Sequence, residues 1–253
     1  MKLKLEQACL TFSELTIKTS MPSFIKAINS QVGRKIMTGI TGIGLMLFLI
    51  GHIVGNLTIF GAPEAFNIYT KTLEDLGPLL YVIEAGLAFF FLYHTILGIS
   101  IWWNRRKARP EGYKKYQTKG GPSHQSLASK SMVYTGIIIL VFLVIHIWTF
   151  KFGDTEMVKL ASGEMARDLR ALVIEKFTEP LYAFGYTFVL SLLILHLSHG
   201  FWSAFTSLSM KSKEASKKVQ MGAYGFAIVI MLMFIFIPLY IYFTGGEGSL
   251  ISY

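Results

Sequence analysis

Along the chain, long uncharged apolar runs alternate with shorter stretches that hold nearly all the charge. Five runs reach the length of about 20 residues that a bilayer crossing takes. They cover roughly 36–60, 78–103, 131–150, 180–208 and 220–244. The second contains one interior charge, Glu84, and the other four contain none. A water-soluble bundle of this size needs helices with one polar face, and these runs are apolar all round. Gly, Ser and Thr interrupt the aliphatics of every run, as in helices that pack closely in lipid. The pattern predicts an all-α fold, an integral membrane bundle of five transmembrane helices.

Composition agrees with that reading. Only 15% of the 253 residues are charged and 53% are hydrophobic, whereas a soluble domain carries about a quarter charged residues. The single cysteine, Cys9, excludes an internal disulfide framework and any cysteine-based metal or iron–sulfur site within the chain. The net charge of +9 raises the question of nucleic acid, but its distribution answers it. Of the 24 Lys and Arg, 18 lie before the first run, in the loop 104–130 or in the loop 211–218. Those three segments therefore share one side of the membrane. The positive-inside rule makes that side the cytoplasm, with the C-terminus outside. The expected location is the cell inner (cytoplasmic) membrane, with multiple passes and no nucleic-acid partner. Residues 1–25 read as a cytoplasmic extension and 26–253 as the membrane domain. The opening MKLKLEQACLTFSELTIKTS has no apolar core of a cleavable signal, and Met21 is an alternative start.

Five of the six histidines fall in the apolar runs: His52, His94, His146, His196 and His199. Ionisable groups within a membrane are costly and mark functional positions. The first four helices each supply at least one. At a rise of about 1.5 Å per residue, His52 lies about 27 Å and His146 about 24 Å from the basic edge. His94 lies only about 16 Å from it, and His196 and His199 about 22 and 18 Å. The histidines thus sort into an outer pair, His52 with His146, and an inner pair, His94 with one residue of the fourth helix. Two imidazoles at one depth on facing helices are what a six-coordinate haem needs. Zinc instead draws three or four ligands to one point. Two such haems would form an electron path across the bilayer.

The residues also resemble a known family. Ser-x-x-x-Arg-Lys at Ser30–Lys35, Leu-Ile-Gly-His at Leu49–His52, His94, His146, and His-x-x-x-Gly-Phe-Trp-Ser at His196–Ser203 are similar to the dihaem cytochrome b anchor of succinate:quinone oxidoreductases. These anchors belong to succinate dehydrogenases and fumarate reductases. The resemblance covers about residues 25–245, and its specificity rests on four histidines in register with five spans. It implies two haem b groups as cofactors, with His52 and His146 on the outer iron and His94 and His196 on the inner one. It further implies a quinone substrate, often menaquinone, and a cytoplasmic iron–sulfur subunit that carries a flavoprotein. The family motif selects His196, whereas depth alone mildly prefers His199; on the motif, His199 is a neighbour of the inner haem rather than its ligand. A carboxylate beyond the first helix serves quinone protonation in the family, and Glu74 is the best match, with Glu64 and Glu84 as rivals. Some members carry Glu two residues before the fourth-helix histidine, where this chain has Ile194, so that proton path is not implied here.

Other residues have simpler readings. Arg34, Lys35, Arg105 and Arg106 set topology and lie where haem propionates or the partner subunit could be met. His124 reads as a loop residue, Trp102, Trp103, Trp148 and Trp202 as interfacial aromatics. The connector 151–179 reads as a loop with a short surface helix. A cytochrome b subunit of a hydrogenase or formate dehydrogenase would share the dihaem pattern. A histidine-dependent transporter is the different class, and the internal repeats and broken helices common in transporters are not evident.

Overall fold

The computed structural model describes residues 23–108, 127–208 and 216–246. Most of the extension read over 1–25, with Cys9 and Met21, lies outside the described residues, as does His124. In chain order, a short helix α1 (Ser23–Asn29) leads into α2 (Gln31–Asn56), which ends in a 3-10 turn, Leu57–Phe60. Helix α3 (Ala65–Glu74) follows, then α4 (Pro78–Lys107) and α5 (Leu127–Phe150). A two-stranded hairpin, β1 (Met157–Lys159) and β2 (Met165–Arg167), precedes α6 (Leu169–Thr178), α7 (Pro180–Ser207) and α8 (Ser216–Thr244). Five helices, α2, α4, α5, α7 and α8, are long and apolar enough to span a bilayer. The protein is an all-α, multi-pass membrane bundle.

Local sequence explains the helix boundaries. Ser30 caps α2, its Oγ accepting from Gly33 N at 3.0 Å while donating to Ala27 O. Pro78 and Pro180 open α4 and α7 at the first-turn positions where a missing N–H costs nothing. Gly77, at φ +55°, makes the turn before α4 in a region that side chains avoid. Pro238 lies inside α8; membrane helices tolerate it where neighbours re-satisfy the freed carbonyl.

Packing is uneven. Helices α2, α7 and α8 share the main buried cluster, with Met46 and Ile53 from α2, Leu190 and Leu197 from α7, and Met231 and Ile237 from α8. Helices α4 and α5 present large apolar side chains outward, among them Phe89, Leu92, Val141 and Trp148, which is stable only in lipid. Helix α2 packs along α4 and along α7, and α5 packs along α7. The pairs α2/α5 and α4/α7 are not close neighbours. The first four spans therefore form a ring, and those two pairs are its diagonals.

The two ends differ. One carries Arg34, Lys35, Arg105 and Arg106 and is the basic end. The other is closed by a cap of α3, the hairpin and α6. Asn67 is the pin of that cap: its Nδ2 donates to Asp168 Oδ1 and its Oδ1 accepts from Arg170 N, both at 2.9 Å. The same Asp168 oxygen caps α6 by accepting from Ala171 N at 3.1 Å. The connector 151–179 is thus more than a loop with a surface helix. It contains a hairpin turning at Gly163 (φ +89°), and α6 buries Leu172, Val173 and Phe177 against the bundle.

Candidate functional site

Each diagonal of the ring is crossed by a pair of histidines. His52 on α2 and His146 on α5 have ring centres 5.8 Å apart, with planes at 88°. His94 on α4 and His196 on α7 have centres 6.4 Å apart, with planes at 63°. The first pair lies toward the cap and the second toward the basic end. Depth alone sorts His52 with His146 and His94 with one histidine of the fourth helix; in the structure His196, the residue the motif selects, rather than His199 faces His94.

The separations suit a shared iron. A metal–imidazole nitrogen bond is about 2 Å and the ring centre lies about 1 Å further, so two axial imidazoles have centres about 6 Å apart. An edge-on aromatic contact spans the same range. The hydrogen-bond partners of the ring nitrogens are compatible with a shared iron at the basic-side pair. Thr41 Oγ1 lies 3.2 Å from His94 Nδ1, and Thr135 Oγ1 lies 3.2 Å from His196 Nδ1. Each hydroxyl also reaches a carbonyl four residues back, Met37 at 2.9 Å and Ser131 at 3.0 Å. A hydroxyl has one proton, and given to the carbonyl it leaves the oxygen to accept Nδ1–H. Both imidazoles then keep Nε2 as the basic nitrogen, the tautomer a metal requires.

The cap-side pair is surrounded differently. His52 stacks on Phe48 at 5.3 Å and meets Phe234 of α8 at 5.8 Å. Asn56 Nδ2 donates to the His52 carbonyl at 2.7 Å and lies 3.4 Å from its Nδ1. His146 stacks on Phe142 at 5.8 Å. Tyr186 Oη stands 3.4 Å from His146 Nδ1, and Phe142, Phe150 and Phe177 all pack against the Tyr186 ring. Among the described residues no three of His, Cys, Asp and Glu converge, so each candidate centre has two protein donors.

His199 lies one turn from His196 and is part-buried, but no hydrogen bond or ring contact ties it to either pair among the described residues. Glu74 is not brought to the histidines. It ends α3, exposed, where it adds a weak attraction to Lys71; hydrogen bonding to Asp75 is the main cause that raises Lys71 above the ordinary lysine value. Its rivals are engaged elsewhere. Glu64 Oε2 accepts from Ala161 N at 3.0 Å, anchoring the hairpin, and Glu84 pairs with Lys151. Ile194 packs against the apolar cluster. At the basic end, Arg34 Nη1 donates to Ser100 Oγ at 2.7 Å, tying α2 to α4, and Arg106 stacks over Trp102 at 4.8 Å.

Sequence reasoning missed Thr41, Thr135, Asn56 and Tyr186. A signal existed for the two threonines: Thr-Gly followed by His eleven residues after the threonine occurs in the first span (Thr41, Gly42, His52) and in the third (Thr135, Gly136, His146). Fold and site together define a class, a membrane bundle whose first four spans hold two histidine pairs at two depths. Compared with protein-family models, curated proteins and solved structures, the chain gives no match.

Proposed function

We propose that the chain is the dihaem cytochrome b membrane anchor of a succinate:quinone oxidoreductase, carrying electrons between a cytoplasmic iron–sulfur subunit and membrane quinone. The observation that supports it is the pair of diagonal histidine contacts at two depths, with a threonine hydroxyl 3.2 Å from Nδ1 of each basic-side ring. His52 and His146 would hold the outer haem b, and His94 and His196 the inner one. A haem held between two imidazoles would supply single-electron transfer. The bundle places each pair on a diagonal of the ring, where a bundle core accommodates a cofactor.

The basic end faces the cytoplasm by the positive-inside rule. Arg34, Lys35, Arg105 and Arg106 there form the docking side for the iron–sulfur subunit, which carries the flavoprotein that interconverts succinate and fumarate. At the cap end, Glu74 is the proposed proton-exchanging carboxylate for the quinone, which in the resembled family is often menaquinone: its exposed carboxylate can take up or release the protons that quinone chemistry moves.

The test is an absorption spectrum and haem assay of the purified chain. Two low-spin b-type haems per chain are expected, and a carefully prepared sample without haem would refute the proposal. Copurification with a flavoprotein that oxidises succinate is the expected second result. A hydrogenase or formate dehydrogenase activity in its place would keep the haems and reassign the partner.

A further inference from the structure

The two threonine contacts are copies of one device. Thr41 and Gly42 lie on α2 beside His94 of the neighbouring α4; Thr135 and Gly136 lie on α5 beside His196 of the neighbouring α7. The hydroxyl-to-Nδ1 distance is 3.2 Å in both. A Cβ placed on Gly42 would stand 3.3 Å from His94 Cε1, and one placed on Gly136 would stand 3.3 Å from His196 Cε1. The backbone carbonyls of Thr38 and Met132, each three residues before its threonine, lie 3.2 and 3.1 Å from the two hydroxyls, so each hydroxyl has a carbonyl to donate to in both copies.

The helix period links this seat to the other pair. Eleven residues make about three turns, so Thr41 and His52 share one face of α2, about 16 Å apart along the axis. Thr135 and His146 do the same on α5. The first and third spans therefore each carry a cap-side histidine and a seat for the basic-side histidine of the next span. The four helices form two equivalent units, α2 with α4 and α5 with α7.

We infer that Thr41 and Thr135 are positioning residues for the basic-side pair, accepting Nδ1–H of His94 and His196 so that both Nε2 atoms are presented to one shared iron. Gly42 and Gly136 keep the Cε1 edges free, so each ring can lie against the backbone of the helix that orients it. The inference rests on the dihaem reading. It distinguishes His196 from His199, because among the described residues His196 has such a seat and His199 has none. It also makes the two centres electronically unequal. An acceptor on Nδ1–H raises the basicity of the ligating nitrogen and favours ferric iron, and both ligands of the basic-side pair have a threonine acceptor.

The experiment uses the full chain with Thr41→Val, Thr135→Val and the corresponding Ser variants. The readouts are haem per chain, the low-spin ferric EPR signals, and redox titration of each haem. Valine keeps the shape and removes the acceptor; serine restores it. Loss of an acceptor around a metal ligand lowers metal affinity by about 10–100-fold. The expected result in each Val variant is weakened binding of one haem, or its retention with a raised midpoint potential and an altered EPR signal. The other haem should be unchanged, and Ser should restore the wild-type values. Two haems with unchanged potentials and EPR signals in both Val variants would overturn the inference while leaving the dihaem reading intact. Loss of both haems in Val and Ser variants alike would make the threonines packing residues and overturn it as well. A wild-type chain without haem would instead refute the dihaem reading itself.

Discussion

His52 and His146 meet at 5.8 Å between ring centres although their helices are not packed against each other. Aromatic side chains from three helices close around them: Phe48 from α2, Phe142 from α5 and Phe234 from α8. Two imidazoles facing across the diagonal of a ring of helices are the arrangement that the proposed shared iron would need.

If each pair holds a haem as proposed, replacing one histidine removes one ligand of that haem and leaves the other pair intact. His52→Ala or His146→Ala is expected to reduce two haems per chain to one, and the double variant to lose no more. His94→Ala and His196→Ala should each remove the second haem, whereas His199→Ala should keep both. Haem assay with EPR of the remaining centre reads the outcome; loss of a haem in His199→Ala, with retention in His196→Ala, would reverse the assignment.

Tyr186 is 7% exposed and holds its hydroxyl 3.4 Å from His146 Nδ1. Tyr186→Phe keeps the aromatic packing and removes that hydroxyl, a net loss of about 1 kcal/mol for an ordinary hydrogen bond. Both haems should stay bound, with the midpoint potential of the outer one displaced and the inner one unmoved in a redox titration.

Asp168 serves two partners with one oxygen, Asn67 of α3 and the backbone of Ala171. Asp168→Ala removes the α6 cap, worth about 1 kcal/mol, and leaves the buried Asn67 amide without its acceptor, worth about 1–3 kcal/mol. The expected effect is easier opening of the cap, seen as faster proteolysis within 151–179, with the haem spectrum of the basic-side pair unchanged.

Glu74→Gln removes a titratable group from the end of α3 without touching either histidine pair. Quinone turnover is expected to fall while both haems remain; unchanged turnover would remove Glu74 from the proton path. Parallel Glu64→Gln and Glu84→Gln variants separate that effect from loss of the hairpin anchor and of the Lys151 pair.

Much of this was legible in the sequence because the bilayer enforces it. A run of about 20 apolar residues has few alternatives to a spanning helix, and the described helices Pro78–Lys107 and Pro180–Ser207 begin at the predicted residues. The pairing of His52 with His146 followed from depth, since rise per residue is nearly constant. The hairpin was not legible, because strands of three residues carry too little alternation to show. Glu74 was chosen by position beyond the first helix, and position along a loop does not say what a side chain faces.

Sequence alone determined the five spans, the basic side and the depth of each histidine, all one-dimensional quantities set by hydrophobic length and helical rise. Tertiary structure decided what meets across the bundle. It turned His196 rather than His199 toward His94, and it brought the Thr41 and Thr135 hydroxyls to the two basic-side rings. The reason is rotational. Residues three apart on a helix differ by about 60° in direction as well as in depth, and only the packing of neighbouring helices determines which direction faces the centre.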